Sequence, residues 1–216
     1  MTDAELTLNV SEELLWDPKI DGEAIAVSTD AGHVTLRGTV GSFRQKREAR
    51  KAAERVRGVL SVHNELEVRI LNDAARDDAD LRGDVLQALM LDSLVPTGVD
   101  AHVHRGVVTL RGSADGQYQR NEAEFIAGNV AGVTGVQDEI KLENPAAHPS
   151  EIEDDIQRAL IRDANLDAED IVVATIDGNV TLSGEVHSWS EHDAALAAAW
   201  AAPGIKAVDD QLTVTY

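Results

Sequence analysis

A chain of 216 residues without cysteine rests on neither disulfides nor thiolate metal sites, so burial of apolar side chains must hold it together. It has no run of 18 apolar residues, which excludes a membrane-spanning helix. The formal charge of −20 is unevenly spread: residues 1–72 carry 10 basic and 12 acidic side chains, residues 73–146 carry 6 and 13, and residues 147–216 carry 3 and 14. A field of that sign repels nucleic acid and, at long range, anionic lipid.

The stretch Val34-Thr35-Leu36-Arg37-Gly38 returns as Val108-Thr109-Leu110-Arg111-Gly112 and as Val180-Thr181-Leu182-Ser183-Gly184. Each copy is preceded by a glycine (Gly32, Gly106, Gly178) and followed by a glycine with a branched apolar neighbour (Gly58-Val59, Gly132-Val133, Gly204-Ile205). The period of 74 and then 72 residues exceeds that of a solenoid unit, so each copy reads as a small domain: 1–72, 73–146 and 147–216.

Within each repeat the first element reads as an amphipathic helix. Leu6, Val10 and Leu14 recur four apart, as do Leu81, Val85 and Leu89, and Ile152, Ile156 and Leu160. Thr2-x-x-Glu5 and Ser150-x-x-Glu153 are capping-box patterns, and Asp78 or Asp80 serves the second repeat. Pro18 and Pro96 are expected to stop the first two helices. The segments 25–29, 99–103 and 171–175 read as strands, followed by turns in which Gly32, Gly106 and Gly178 need a positive φ. In the next strand Val34 and Leu36 point to the core while Thr35 and Arg37 point away. A second helix follows, opened by Ser42-x-x-Gln45 and Ser188-x-x-Glu191 and lined by alanines that let it lie close on a sheet. Gly58, Gly132 and Gly204 suit its C-terminus, and 62–68, 136–142 and 208–214 close each repeat as a third strand.

The expected fold class is α+β: three tandem α-β-β-α-β two-layer sandwiches, each a three-stranded mixed sheet covered on one face by two helices. The connections, 71–80 and 143–150, are short and polar, with Pro145 and Pro149 stiffening the second, so the repeats are expected to pack on one another. The opening MTDAELTLNV lacks the basic region and apolar core of a secretory signal. The expected location is therefore cytoplasmic, or periplasmic if the numbering starts after a removed signal.

These motifs resemble the BON domain, the module named for bacterial OsmY and nodulation proteins. The third copy is most similar, with Asp177-Gly178-Asn179-Val180-Thr181-Leu182-Ser183-Gly184-Glu185-Val186 and Gly204-Ile205-Lys206-Ala207-Val208-Asp209-Asp210. The first matches through Gly58-Val59-Leu60-Ser61-Val62-His63-Asn64; the second departs at His104-Arg105-Gly106 and Gly112-Ser113-Ala114. The resemblance implies a sandwich fold, no catalysis, and association with osmotic or envelope stress through phospholipid or membrane attachment. OsmY-like members are exported. The matched residues are glycines and core aliphatics, which identify a fold and mark no binding site.

Chemistry-bearing constellations are few. His102 and His104 share one strand face as conceivable metal ligands, but the other copies have no such pair and no third ligand stands at a suitable spacing, so neither metal nor cofactor is expected. His33, His63, His148, His187 and His192 read as loop or surface histidines. Asp163, Asp167, Glu169 and Asp170 lack the central glycine of a calcium loop, and Asn179-Val180-Thr181 reads as part of a hairpin rather than a glycosylation acceptor. No nucleophile with a local base and no phosphate loop stands out. The second helix of the first repeat is basic, and Arg44, Arg47, Arg50 and Lys51 offer a docking face for an anionic surface or for the acidic third repeat.

Four apolar residues break the repeat. Trp16 is equivalent to Leu91 and Arg162, Leu86 to Ser11 and Gln157, and Trp200 to Glu54 and Gly128. A position that accepts arginine lies outside the domain core, so Trp16, Leu86, Leu91 and Trp200 are candidates for contact between repeats or with a partner or membrane. The resulting expectation is a non-enzymatic, stress-associated binding protein acting on a protein partner or a phospholipid surface, without nucleic acid. The alternative is a small-ligand or cation sensor whose domain packing responds to the ion.

Overall fold

The computed structural model describes residues 1–70, 76–143, 149–163, 166 and 170–216. The first repeat runs α1 (Asp3–Trp16), β1 (Ile25–Asp30), β2 (His33–Val40), α2 (Phe43–Glu54) and a third strand in two pieces, β3 (Ser61–Asn64) and β4 (Glu67–Val68). The second is α3 (Asp78–Leu91), β5 (Asp100–His104), β6 (Val107–Ala114), α4 (Gln117–Asn129) and β7 (Gly135–Leu142). The third is α5 (Pro149–Arg162), β8 (Ile171–Ile176), β9 (Asn179–Val186), α6 (Trp189–Ala201) and β10 (Ala207–Val214). In every repeat the middle strand is the second one. β1 and β8 pair with it antiparallel, and β3, β4 and β10 pair with it parallel, so the sheets are mixed as expected. Contacts divide the chain into two compact units, residues 1–112 with 122–139 and residues 113–121 with 140–216.

Each repeat buries its own core from the stripes legible in the sequence. In the first, Leu6, Val10 and Leu14 pack with Val34, Leu36, Ala49, Ala52 and Ala53. In the third, Ile152, Ile156 and Leu160 pack with Val180, Leu182, Ala195 and Ala199. The alanines are wholly buried, so these helices lie close on their sheets.

Helix ends follow the expected chemistry with three differences. The Thr2 hydroxyl accepts the Glu5 N–H at 3.3 Å, and the Glu5 carboxylate accepts the Thr2 N–H at 2.8 Å. The second helices use a wider box: Ser42 and Ser188 accept from residue 45 or 191, but Gln45 and Glu191 reach back to Gly41 and His187, one residue further out. The cap of α3 is Asp77, not Asp78 or Asp80; the side chain of Ser150 lies outside the described residues. Helix α3 ends at Leu91, five residues before Pro96. Its stop comes from Asp92, whose carboxylate accepts the Leu94 N–H at 2.7 Å, as Asp17 accepts that of Lys19 at 3.0 Å after α1. Pro145 and linker residues 71–75 and 144–148 also lie outside the described residues.

The recurring glycines have two geometric causes. Gly38, Gly112 and Gly184 hold φ of +140°, +136° and +130°, and a Cβ on each would overlap the carbonyl oxygen of Ala24, Gly98 or Asp170. In the hairpin turns both central residues are left-handed: Ala31-Gly32, Arg105-Gly106 and Asp177-Gly178. Asp-Gly suits that turn; alanine and arginine do not. In the first two repeats a helix carboxylate holds the turn. Asp3 accepts the Ala31 N–H at 3.2 Å, and Asp78 accepts those of Arg105 and Gly106 at 2.8 and 3.0 Å. The equivalent position in the third repeat is Pro149. Gly58, Gly132 and Gly204 have positive φ as well, but stand in the turn to the third strand, three or four residues beyond the helix.

Candidate contact surfaces

The first helices end in exposed apolar residues. Leu14 closes the buried stripe of α1, and at 100° per residue the next two side chains swing off that face. Leu15 is 59% exposed and Trp16 84%. Register makes Met90 and Ile161 equivalent to Leu15, and they are 85% and 71% exposed; Leu91, equivalent to Trp16, is 80% exposed. The position of Leu15 is thus apolar and open in every repeat. Single exposed aliphatics are ordinary, but one recurring at the same helix end three times is a patterned surface. Reasoning from departures found Trp16 and Leu91 and missed Leu15, Met90 and Ile161, because these three keep the repeat. The available signal was an apolar residue directly after the last member of each buried stripe.

The end of α1 is held rigidly. Arg55, just after α2, donates to Glu13 Oε1 at 2.9 Å and to the buried carboxylate of Asp17 at 3.0 Å. The Lys19 N–H and then the Arg55 guanidinium hold the Asp17 carboxyl below the usual carboxylate range. Trp16 therefore projects from a fixed platform. Leu86, by contrast, is half-buried on α3, and Trp200 is half-buried on α6 against the core of the third repeat.

The basic face of α2 divides into used and unused charges. Arg44 and Lys51 are exposed and have no ion-pair partner among the described residues. Arg50 pairs with Glu54 at 2.6 Å within the helix. Arg47 is engaged: inside the first compact unit its guanidinium lies 4.7 Å from the Phe125 ring centroid and donates to Asn129 Oδ1 at 3.0 Å, both on α4. Phe43 packs over Gly128 beside it, where a Cβ would come within 2.9 Å of the phenylalanine ring. Inside the second compact unit, Gln117, Tyr118 and Asn121 of α4 line one groove with Asp193, Ala197 and Trp200 of α6.

His102 and His104 do share the exposed face of β5, since Ala101 and Val103 point inward. Among the described residues no group of three or more histidine and acidic side chains could hold a metal. Asp167, Glu169 and His148 lie outside the described residues. His192 differs from expectation: it is buried, because it stands three residues before Ala195 on the inner stripe of α6. Its Nε2 lies 2.9 Å from Asp210 Oδ2, its Nδ1 3.5 Å from Asp193 Oδ1, and its ring 4.8 Å from that of Trp189. The Asp193 contact, then Asp210, raises its pKa above the ordinary histidine value against the opposing effect of burial. Asn64, equivalent to Asp210, makes the matching tie by donating to Lys46 O at 2.8 Å. The acidic or amide pair of the closing motif thus fastens the third strand to the second helix.

The family model for the BON domain matches residues 2–70, 77–144 and 149–216. The chain belongs to the BON domain family. The chain is also similar to the osmotically-inducible protein Y of Escherichia coli (strain K12), 36% identical over 146 residues, 65% of this chain and 73% of the relative. Among solved structures, CdsD, a structural protein of the type III secretion system of Chlamydia trachomatis, is 14% identical over 98% of this chain and 92% of its own, with a TM-score of 0.28. The C-terminal domain of CdsD is 13% identical over the whole of both chains at the same TM-score. Overlays at that score carry no functional argument.

Proposed function

We propose that this BON domain chain is a non-enzymatic, stress-associated binding protein that meets a phospholipid surface through the exposed ends of its first helices. The observation that carries the reading is the recurrence of an open apolar residue at Leu15, Met90 and Ile161, joined by Trp16 and Leu91. The stress association rests on the osmotically inducible relative. Each aliphatic or aromatic side chain moved fully out of water contributes about 1.5–3 kcal/mol, and tryptophan suits a boundary with one wet edge. A chain of net charge −20 gains little from anionic headgroups, so apolar insertion must dominate.

Co-sedimentation with neutral and anionic vesicles at two salt concentrations tests this. Binding to neutral vesicles should survive high salt and weaken in Trp16→Ala and Leu91→Ala. The unfolding free energy should move by no more than about 0.5 kcal/mol in either variant, as at open surface sites. Binding that needs anionic lipid and vanishes in salt would transfer the role to Arg44 and Lys51. No binding to either vesicle would rule out the phospholipid reading and leave a protein partner for the same residues.

A further inference from the structure

The first strand of each repeat lies at an edge of its sheet, and the three edges are closed differently. The two-residue turn makes Ile176 and Asn179 a hydrogen-bonded closing pair. By alternation, Ile171, Val173 and Thr175 turn their N–H and C=O groups away from β9, towards the open edge of β8. Their equivalents are Ile25, Val27 and Thr29 in the first repeat and Val99, Ala101 and Val103 in the second. In the second repeat Arg82 of α3 caps the edge: its Nε donates to the Ala101 carbonyl at 2.6 Å and its Nη2 to Asp100 Oδ1 at 2.8 Å. In the first, the Thr7 hydroxyl of α1 donates to that of Thr29 at 2.9 Å. Register puts Glu153 of α5 where Thr7 and Arg82 stand. A carboxylate has no proton to give a carbonyl, and the Thr175 hydroxyl is buried without a hydrogen-bond partner among the described residues. Charge ordinarily blunts an edge, as Asp30 does in the first repeat and Asp100, His102 and His104 do in the second. β8 carries none, and Val172 and Ile176 on its outer face are 60% and 73% exposed. Beside it runs a groove of about 730 Å³, walled by Glu153, Gln157 and Ile161 from one face of α5 and by Leu166 and Val172.

We infer that the β8 edge captures an extended, apolar, lysine- or arginine-bearing segment of a partner protein, added as a further strand to the sheet of the third repeat. The backbone of that segment supplies N–H donors to the Val173 edge, where no side chain of the repeat takes the place of Arg82 among the described residues. Its alternate side chains enter the groove between α5 and β8, and its cation meets Glu153. Charge commits the site to that occupant. Residues 147–216 carry 14 acidic side chains and 3 basic ones, Arg158, Arg162 and Lys206, none of which lines the groove. Arg158 is already paired with Asp155 at 2.5 Å. A second copy offering its own β8 would bring two such acidic repeats together and would present no cation to Glu153. The strand edge is a different surface from the helix ends assigned to phospholipid, with Ile161 common to both.

Two dye-labelled, end-capped peptides of alternating valine and threonine, one with a central lysine and one with a central glutamate, test this on the full chain by fluorescence anisotropy. The lysine peptide should bind saturably and about tenfold more tightly than the glutamate peptide, and Glu153→Lys should reverse that preference. Amide hydrogen exchange reads the strand addition itself. The N–H groups of Ile171, Val173 and Thr175 should exchange freely in the chain alone and become protected with the lysine peptide. Those of Val172, Ala174 and Ile176, already bonded to β9, should be protected in both. Trp16→Ala and Leu91→Ala should leave peptide binding unchanged, so this site and the phospholipid reading can fail separately. Four results overturn the proposal: neither peptide binds; the preference is the same in Glu153→Lys; the lysine peptide binds while the three edge amides still exchange freely; or those amides are protected without peptide in a chain that sediments as a dimer, which would give the edge to a second copy.

Discussion

Gly112 and Asp78 show how much of the second BON domain turns on single atoms. Gly112 is the closing residue of its strand motif because a Cβ would enter the space of the Gly98 carbonyl while the backbone holds φ at +136°. Gly112→Ala is expected to destabilise its domain by about 1–3 kcal/mol, read as a lower midpoint in thermal or urea unfolding. Asp78 lies below the ordinary carboxylate range because the Arg105 and then the Gly106 N–H bind its charged form. A depressed folded-state pKa gives stability that is complete above the unfolded value and is lost as pH falls through the folded one. The amide shift of Gly106 should therefore titrate below pH ~4, with the midpoint under that of an unstructured aspartate. A midpoint at or above the ordinary value would show that the carboxylate does not hold the turn.

Helix α6 marks where the sequence stops being legible at the scale of elements. The spacing of its alanines revealed its buried stripe, and Ser188 revealed its start. His192 was not recognisable as part of that stripe, because its equivalents are Lys46 and Arg120 and its acceptor, Asp210, comes from β10, 18 residues on. The same limit hid the partners of Arg47, which belong to another repeat. The helix-end surface was half legible: Trp16 and Leu91 betray themselves by breaking the repeat, whereas Leu15, Met90 and Ile161 look like regular members of it until exposure is known. Burial of His192 between Asp193 and Asp210 has a measurable result. Its pKa is raised, so its contribution to stability is full below the ordinary histidine value and is lost as pH rises through the folded one. The unfolding midpoint of the third domain should fall as pH increases from about 6.5 upward, and His192→Phe should flatten that dependence. A midpoint that rises with pH over the same range would contradict the assigned ties.

Across the whole molecule, the separateness of the first and third cores decides how it unfolds. Ile156 is wholly buried among third-domain residues, so Ile156→Ala should cost about 2–5 kcal/mol and act first on that domain. Calorimetry is expected to show the affected transition move away from the rest, in which case a single melting temperature no longer describes the chain. One shifted transition for the entire chain would show that the domains unfold as one. The hairpin turns extend this difference between domains from equilibrium to time. The third turn, Asp177-Gly178, is made of residues that adopt its geometry unaided, so β8 and β9 can zip as soon as they are synthesised. The Ala31 and Arg105 turns are held by carboxylates on α1 and α3, 28 and 27 residues earlier in the chain, and become favourable only once those helices have docked. Three copies of one architecture are thereby given two orders of assembly: hairpin before helix in the last, helix before hairpin in the first two.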